Sequence, residues 1–276
     1  MKKNFFTVNN NQDGKRLFVV ISEYLSISRK LSQKIIDEKL VLINKKRIWM
    51  KNHNVKINDQ IEILSHTTLI NKSKKIDIIW KDKYYIIANK PPGLITNAHK
   101  ESLERILCSQ ENNPDIIAVH RLDKETSGCI IFSTSKNAKE KAIPLFKENR
   151  IIKIYRGITI GKFPNIKREI INDIDGYIAK TKIKVLDSSR TNSYLEIQIE
   201  TGRTHQIRKH LAANRYPILG DKKYAGDKDI LSLKQSRQML HAYKLIFNHP
   251  YTNQKINIRA SLPQDFKRCL NQLKLN

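Results

Sequence analysis

The sequence predicts an α+β protein in two parts: a small N-terminal α/β module, and a larger unit on a largely antiparallel mixed sheet with flanking helices. Three observations carry this reading. Residues 12–70 change from helical to strand periodicity within one short stretch. Residues 71–75 (NKSKK) are short, polar and basic, the composition of a linker. From residue 76 to about 272, strand-like segments follow one another with few of the helical intervals that a parallel βαβ sheet requires.

Within the first part, Leu17, Val20, Ile21, Tyr24 and Leu25 recur at the spacing that gathers apolar side chains on one helix face. A second helix is expected from Ser28 as N-cap, burying Leu31, Ile35 and Ile36, with a β-branched strand at 40–43. The alternation of Val55, Ile57, Ile61 and Ile63 about Asn58-Asp59 predicts two short strands joined by a turn. In the second part, strands at 76–79 and 84–88 flank the turn Lys81-Asp82-Lys83, and Lys90-Pro91-Pro92-Gly93 stops the latter sharply. Further strands are expected at 129–133, 152–160, 182–186 and 194–200, and helices at 103–108, 137–146 and 205–213.

Composition narrows the function. A formal net charge of +26 predicts salt-sensitive attraction to polyanions. Residues 1–75 hold 16 basic and 6 acidic side chains and residues 76–276 hold 36 and 20, so neither part is merely a basic tail. The competing account is a coding bias toward Lys, Asn and Ile, with solvated lysines that bind nothing. Cys108, Cys129 and Cys269 are too scattered for a disulfide framework or a CxxC site, which suits a reducing cytoplasm. No apolar run approaches the roughly 20 residues of a spanning helix, and the N-terminus lacks a secretory signal, so a soluble intracellular protein is expected. No Walker loop or dinucleotide fingerprint occurs, and His205 and His210 lack the spacing and the Glu of a zinc helix, so no cofactor and no metal are expected.

The most polar run lies at 120–128, His120-Arg121-Leu122-Asp123-Lys124-Glu125-Thr126-Ser127-Gly128, between the apolar stretches 116–119 and 129–132. It must leave the core as a loop, and a carboxylate flanked by Arg and small hydroxyls suits a site. Taken alone, a solvated hairpin tip is the better account of it. The run, however, is similar to the HRLDxxTSG signature of the RluA-like pseudouridine synthases at every specified position. The resemblance continues through Lys153-Ile154-Tyr155 (KxY), residues 201–208 (TGRTHQIR), Gly220-Asp221, Tyr224, Leu240-His241-Ala242, Leu245, Phe247, His249-Pro250 and the Lys90–Gly93 turn. It spans about residues 76–268. Ser133, Gly157 and Ala225 depart from common family residues without touching the chemistry. Residues 12–70 in turn resemble an S4 RNA-binding domain through Ser28-Arg29, Ile36, Val41, Ile43, Asn44 and Asp59. Lys39, Lys45 and Asn58 stand at its glycine positions, so rebuilt turns are expected.

These resemblances imply an RNA-modifying isomerase that releases uracil from ribose C1′, turns it and rejoins it through C5. Asp123 is the essential carboxylate, acting either as nucleophile or as base toward a ribose proton. Arg208 is expected to pair with it and orient it, and Tyr155 to lie against the base. Arg121 is the candidate wedge that fills the gap left by a flipped uridine. His120, Arg203, His205 and Leu245 complete the RNA-facing set, although His120 suits a hydrogen-bonded structural role and Leu245 an ordinary core position. In the S4-like module Arg29, Lys30, Lys34, Lys45 and Arg47 are expected on RNA backbone. The expected partner is RNA, with large-subunit ribosomal RNA or its assembly precursors first because residues 266–270 resemble one such branch, and transfer RNA as the alternative. A monomer is the default. The rival readings are a catalytically silent RNA clamp and a glycosidase-like enzyme on free nucleosides.

Overall fold

A computed structural model describes residues 2–25, 27, 29–50, 52–65, 75–164, 168–226 and 235–276. The chain divides into two units, Met1–Lys75 and Ile76–Asn276.

In the first unit, strand β1 (Lys2–Thr7) precedes a 3-10 turn (Asn10–Gln12), helices α1 (Leu17–Tyr24) and α2 (Arg29–Asp37), and strands β2 (Val41–Ile43), β3 (Lys46–Ile48) and β4 (Gln60–Ser65). The strands form an antiparallel sheet in the order β1-β4-β2-β3. Leu17, Val20 and Ile21 from α1 and Ile35 and Ile36 from α2 bury against Val41, Ile43, Ile61 and Ile63. On α2 it is Ser32, not Leu31, that joins the buried face, where its hydroxyl donates to the Phe18 and Arg29 carbonyls. The expected cap Ser28 lies outside the described residues.

Three features of this unit depart from expectation. Strand β1 was not expected, because KKNFFT is too polar to announce itself; it pairs along all of β4, and the Phe6 ring stacks on Tyr24 at 4.0 Å. No strand forms around Val55; that residue is fully buried and bonds the Gly14 amide and the Lys15 carbonyl, so its hydrophobicity reports burial without a ladder. The turns also keep the left-handed backbone instead of being rebuilt: φ is +57° at Lys39, +66° at Lys45 and +67° at Asn58. Each lysine there costs about 1 kcal/mol relative to glycine.

The second unit contains β5 (Asp77–Lys81), β6 (Tyr85–Lys90), α3 (Leu103–Gln110), β7 (Ile117–Ala118), β8 (Ser127–Ser133), α4 (Lys136–Lys147) and β9 (Ile152–Ile160). These are followed by β10 (Arg168–Ile174), β11 (Tyr177–Ser188), β12 (Asn192–Ile199), α5 (Gln206–Ala213), β13 (Leu240–Asn248), β14 (Lys255–Arg259) and α6 (Gln264–Leu273). Serine side chains start two of the helices: Ser102 accepts from the Arg105 amide and Ser135 from the Ala138 amide. The sheet runs β10-β11-β12-β9-β13-β8-β6-β5, with β14 beside β13 and β7 beside β8. It is mixed and largely antiparallel, as expected; β13 with β8 is the parallel pair.

That pair positions the polar loop. His241 stands opposite Ser127 and Ala242 opposite Gly128. Gly128 has φ +112°, and a Cβ there would lie 2.2 Å from the Ala242 carbonyl oxygen, so only glycine lets the two strands meet. Among the described residues, no helix is long and apolar enough to cross a membrane.

Candidate active site

Asp123 sits in the loop between β7 and β8, which is tied down on every side. Buried Leu122 places its backbone amide and carbonyl on the Thr96 hydroxyl at 3.2 and 3.1 Å. The Gly93 amide donates to the Lys124 carbonyl at 2.9 Å, and buried Lys90 donates to the carbonyls of Pro91, Lys124 and Thr126 at 3.1, 2.9 and 2.7 Å. Burial draws the Lys90 ammonium down to about 7, while Glu125 and Asp123 pull it up. The Thr126 hydroxyl accepts from Gln238 at 2.7 Å, and Arg237 donates to the Glu125 carbonyl at 3.0 Å. The Lys90–Gly93 turn is thus a clamp on the Asp123 loop, held mainly by backbone acceptors that any side chain at 124 or 126 supplies.

Helix α5 brings the cation. Arg208 forks onto Asp221 through Nε and Nη2 at 2.7 and 2.9 Å and reaches Asp123 Oδ2 with Nη1 at 2.8 Å. Burial opposes its charge, but the two carboxylates outweigh that and hold Arg208 more firmly cationic than a free arginine. Asp221 is fully buried, and its Oδ1 also accepts from the Lys223 and Tyr224 amides. The Tyr224 ring lies 5.0 Å from the guanidinium, so Arg208 is fixed in one rotamer. Among the described residues, Asp123 Oδ1 takes no hydrogen bond: His205 Nε2 is 3.7 Å away, and His205 Nδ1 shares a 2.9 Å hydrogen bond with the Tyr224 hydroxyl. Burial lowers the His205 pKa against the pull of Asp123. His205 itself is left-handed, φ +56° at the start of α5, which turns its ring back toward the carboxylate.

Strand β9 supplies Tyr155, opposite Ala242 of β13 and half-buried between two core clusters. Burial, then the nearby Asp123, push its phenol above the ordinary tyrosine value, so it remains a neutral hydrogen-bond donor. Arg121, Asp123, Tyr155, Arg203, His205 and Arg208 all line one open cleft of about 90 Å³ with apolar walls from Leu122, Ile199, Ile207 and Leu240. Among the described residues no cluster of three or more His, Cys, Asp or Glu side chains has the arrangement of a metal site. A carboxylate with one oxygen held and one free, beside an aromatic hydroxyl and under a basic rim, suits covalent or proton-transfer work on a flat polar ring.

Residues 84–213 match the RNA pseudouridylate synthase family. The chain is 31% identical over 300 residues to the ribosomal large subunit pseudouridine synthase D of Buchnera aphidicola subsp. Schizaphis graminum, covering 95% of both proteins. The chain belongs to the RNA pseudouridine synthases. The pseudouridine synthase D of Neisseria meningitidis serogroup A is 30% identical over 95% of this chain and 79% of its own length. The tRNA pseudouridine synthase C of Vibrio parahaemolyticus is 26% identical over 70% of this chain and 93% of its own. Among solved structures, human RNA pseudouridylate synthase domain containing 4 superposes with a TM-score of 0.62 at 26% identity, over 72% of this chain and 94% of that one.

Two of the expected RNA-facing residues of this pseudouridine synthase stand elsewhere. His120 turns inward: its Nε2 accepts the Ile131 amide at 3.1 Å, its ring stacks on Phe146 at 4.9 Å, and burial with Lys153 nearby drives its pKa down to about 3. Leu245, opposite Lys153, packs away from the cleft in a cluster with Tyr85, Ile87, Leu145 and Phe247. Leu240 provides the apolar wall instead. Arg29, Lys30, Lys34, Lys45 and Arg47 are exposed on the N-terminal unit, and Lys34 pairs with Glu38 at 3.6 Å.

The sequence reading assigned no role to Asp221, Tyr224, Lys90, Gln238 or His241. All but Gln238 stand in the motif blocks, which was the available signal. His241 is wholly buried; its Nδ1 contacts the Ser127 hydroxyl at 2.9 Å and its Nε2 the Ala260 carbonyl at 3.2 Å. A neutral ring that donates through Nε2 and accepts at Nδ1 satisfies both, and burial lowers its pKa to about 4. The folded value lies below the unfolded one, near 6.5, so the stabilisation is complete above pH 6.5 and declines as pH falls toward 4. The slope is about 1.4 kcal/mol per pH unit. Denaturant unfolding at pH 7, 5.5 and 4.5 is expected to show this loss, and His241→Asn to flatten it; equal slopes for both proteins would refute the assignment.

Proposed function

We propose that this enzyme converts uridines of large-subunit ribosomal RNA into pseudouridine in the cytoplasm, with Asp123 as the reacting carboxylate. The observation that carries the chemistry is the asymmetry of Asp123: Oδ2 is fixed by Arg208 at 2.8 Å, whereas Oδ1 faces the cleft with His205 no nearer than 3.7 Å. Oδ1 is therefore the oxygen left to act, whether it attacks C1′ or takes a ribose proton. Tyr155 provides a ring for the base to lie on and a neutral hydroxyl beside it. Arg121, exposed at the rim, enters the duplex as the uridine leaves it.

The substrate reading rests on two supports. Relatives that align over most of their own length are named ribosomal large subunit pseudouridine synthases. The N-terminal unit, whose sequence resembles an S4 domain, carries two helices and a small sheet with left-handed turns and exposes Arg29, Lys30, Lys34, Lys45 and Arg47, which suits phosphate contacts on a large structured RNA. Tritium release from C5-labelled transcripts tests the choice. Release is expected from large-subunit ribosomal RNA and not from transfer RNA; the reverse pattern would replace the substrate while keeping the reaction.

A further inference from the structure

We propose that Tyr177 and Arg203 form a stacking platform for a nucleobase next to the uridine held in the cleft. This deepens the function proposed above and rests on it. Tyr177 opens β11 opposite Ile174, at the tip of the β10–β11 hairpin. Side chains alternate along a strand, so Tyr177 shares a face with Ala179, Thr181 and Ile183. Thr181 is bonded by His210 and Gln206 of α5, so this is the face that α5 covers. Tyr177 projects beyond that cover and remains 60% exposed.

Arg203 joins the ring to the cleft. Its guanidinium lies 4.6 Å from the Tyr177 centroid, and the same residue lines the cleft with Asp123. Among the described residues Arg203 forms no ion pair, unlike Arg208 and Arg237, so its charge is held over an aromatic face and left for an outside anion or π-system. The hairpin is also anchored: Lys209 of α5 grips both oxygens of Asp175 at 2.8 Å, tying the turn beside Tyr177 to the helix that carries Arg208. A ring and a guanidinium held at a cleft edge, in a strongly basic chain, fit a nucleobase with its phosphate better than they fit a protein surface. Ile178, 65% exposed, alternates to the opposite face and provides an internal comparison.

The test uses the full chain and a single-stranded uridine octamer. Tyr177→Trp is expected to show saturable fluorescence quenching beyond that of wild type, which carries only Trp49 and Trp80, and Ile178→Trp to show none. Tyr177→Ala is expected to bind the octamer about tenfold more weakly and Tyr177→Phe to stay within about twofold, with unchanged circular dichroism in both. Absent quenching at position 177, or an unaltered affinity for Tyr177→Ala, would overturn the platform. The readout requires no turnover: quenching without pseudouridine formation would remove the proposed reaction and leave the platform, whereas turnover without quenching would do the opposite.

Discussion

Asp123→Asn is expected to lower the single-turnover rate of pseudouridine formation by roughly four orders of magnitude or more, the scale on which enzymes respond to loss of a nucleophile. The substitution is nearly isosteric, and the loop around it is held by Lys90, Thr96 and Gln238, none of which bonds the Asp123 side chain. Folding and RNA affinity should therefore stay close to wild type. The amide does not reproduce the acting oxygen: it has no negative charge to attack C1′ or accept a proton, and one of its two positions becomes a donor. Single-turnover kinetics at saturating RNA, beside a filter-binding Kd, separate this from a binding defect. A loss in Kd matching the loss in rate would contradict the assignment.

Arg208→Met is expected to destabilise the protein by about 3–5 kcal/mol, because it strands the Asp221 carboxylate, whose side chain has no solvent exposure, and removes the only hydrogen-bonding cation on Asp123 among the described residues. For a unit of this size that corresponds to a melting temperature lowered by roughly 10 °C. The double substitution Arg208→Met/Asp221→Leu should recover much of the stability, since a buried ion pair replaced by apolar groups is often close to neutral. Activity should not return, because Asp123 still lacks its partner. Thermal melts and turnover of the two variants thus divide structural from chemical roles, and recovered activity in the double variant would show that Arg208 acts only through folding.

The placement of the site residues was legible wherever residue type and spacing carried it. The run at 120–128 had to be a loop because eight of its nine residues are polar or small and cannot continue a core strand between apolar stretches, and Asp123, Tyr155 and Arg208 do meet in one cleft. Less legible were groups whose roles exist only through tertiary contacts. Asp221 stands in a motif block of the sequence but becomes the second anchor of Arg208 only when α5 packs beside its loop. Leu245 illustrates the same limit: an irregularity in β13 between Ala242 and Lys244 sets which leucine reaches the cleft, and apolar character alone does not encode it. His120 entered the RNA-facing set through its motif, and its ring nitrogen takes the hydrogen-bonded structural role that its position also suited, accepting the Ile131 amide. Strands β1, β3, β7, β10, β13 and β14 and helix α6 lay outside the expected elements, although α6 carries a plain helical spacing of apolar residues at Phe266, Cys269, Leu270 and Leu273.

The central claim is that Asp123 drives isomerisation of uridine within RNA, and nucleoside chromatography tests it most directly. Large-subunit ribosomal RNA transcript, incubated with the purified chain and no added cofactor, is then digested to nucleosides and compared with the same reaction using Asp123→Asn. The expected result is a pseudouridine peak that grows as uridine falls by the same amount, present with wild type and absent with the variant. Equal pseudouridine from both proteins would contradict the account, as would its absence from an RNA that the wild-type protein demonstrably binds.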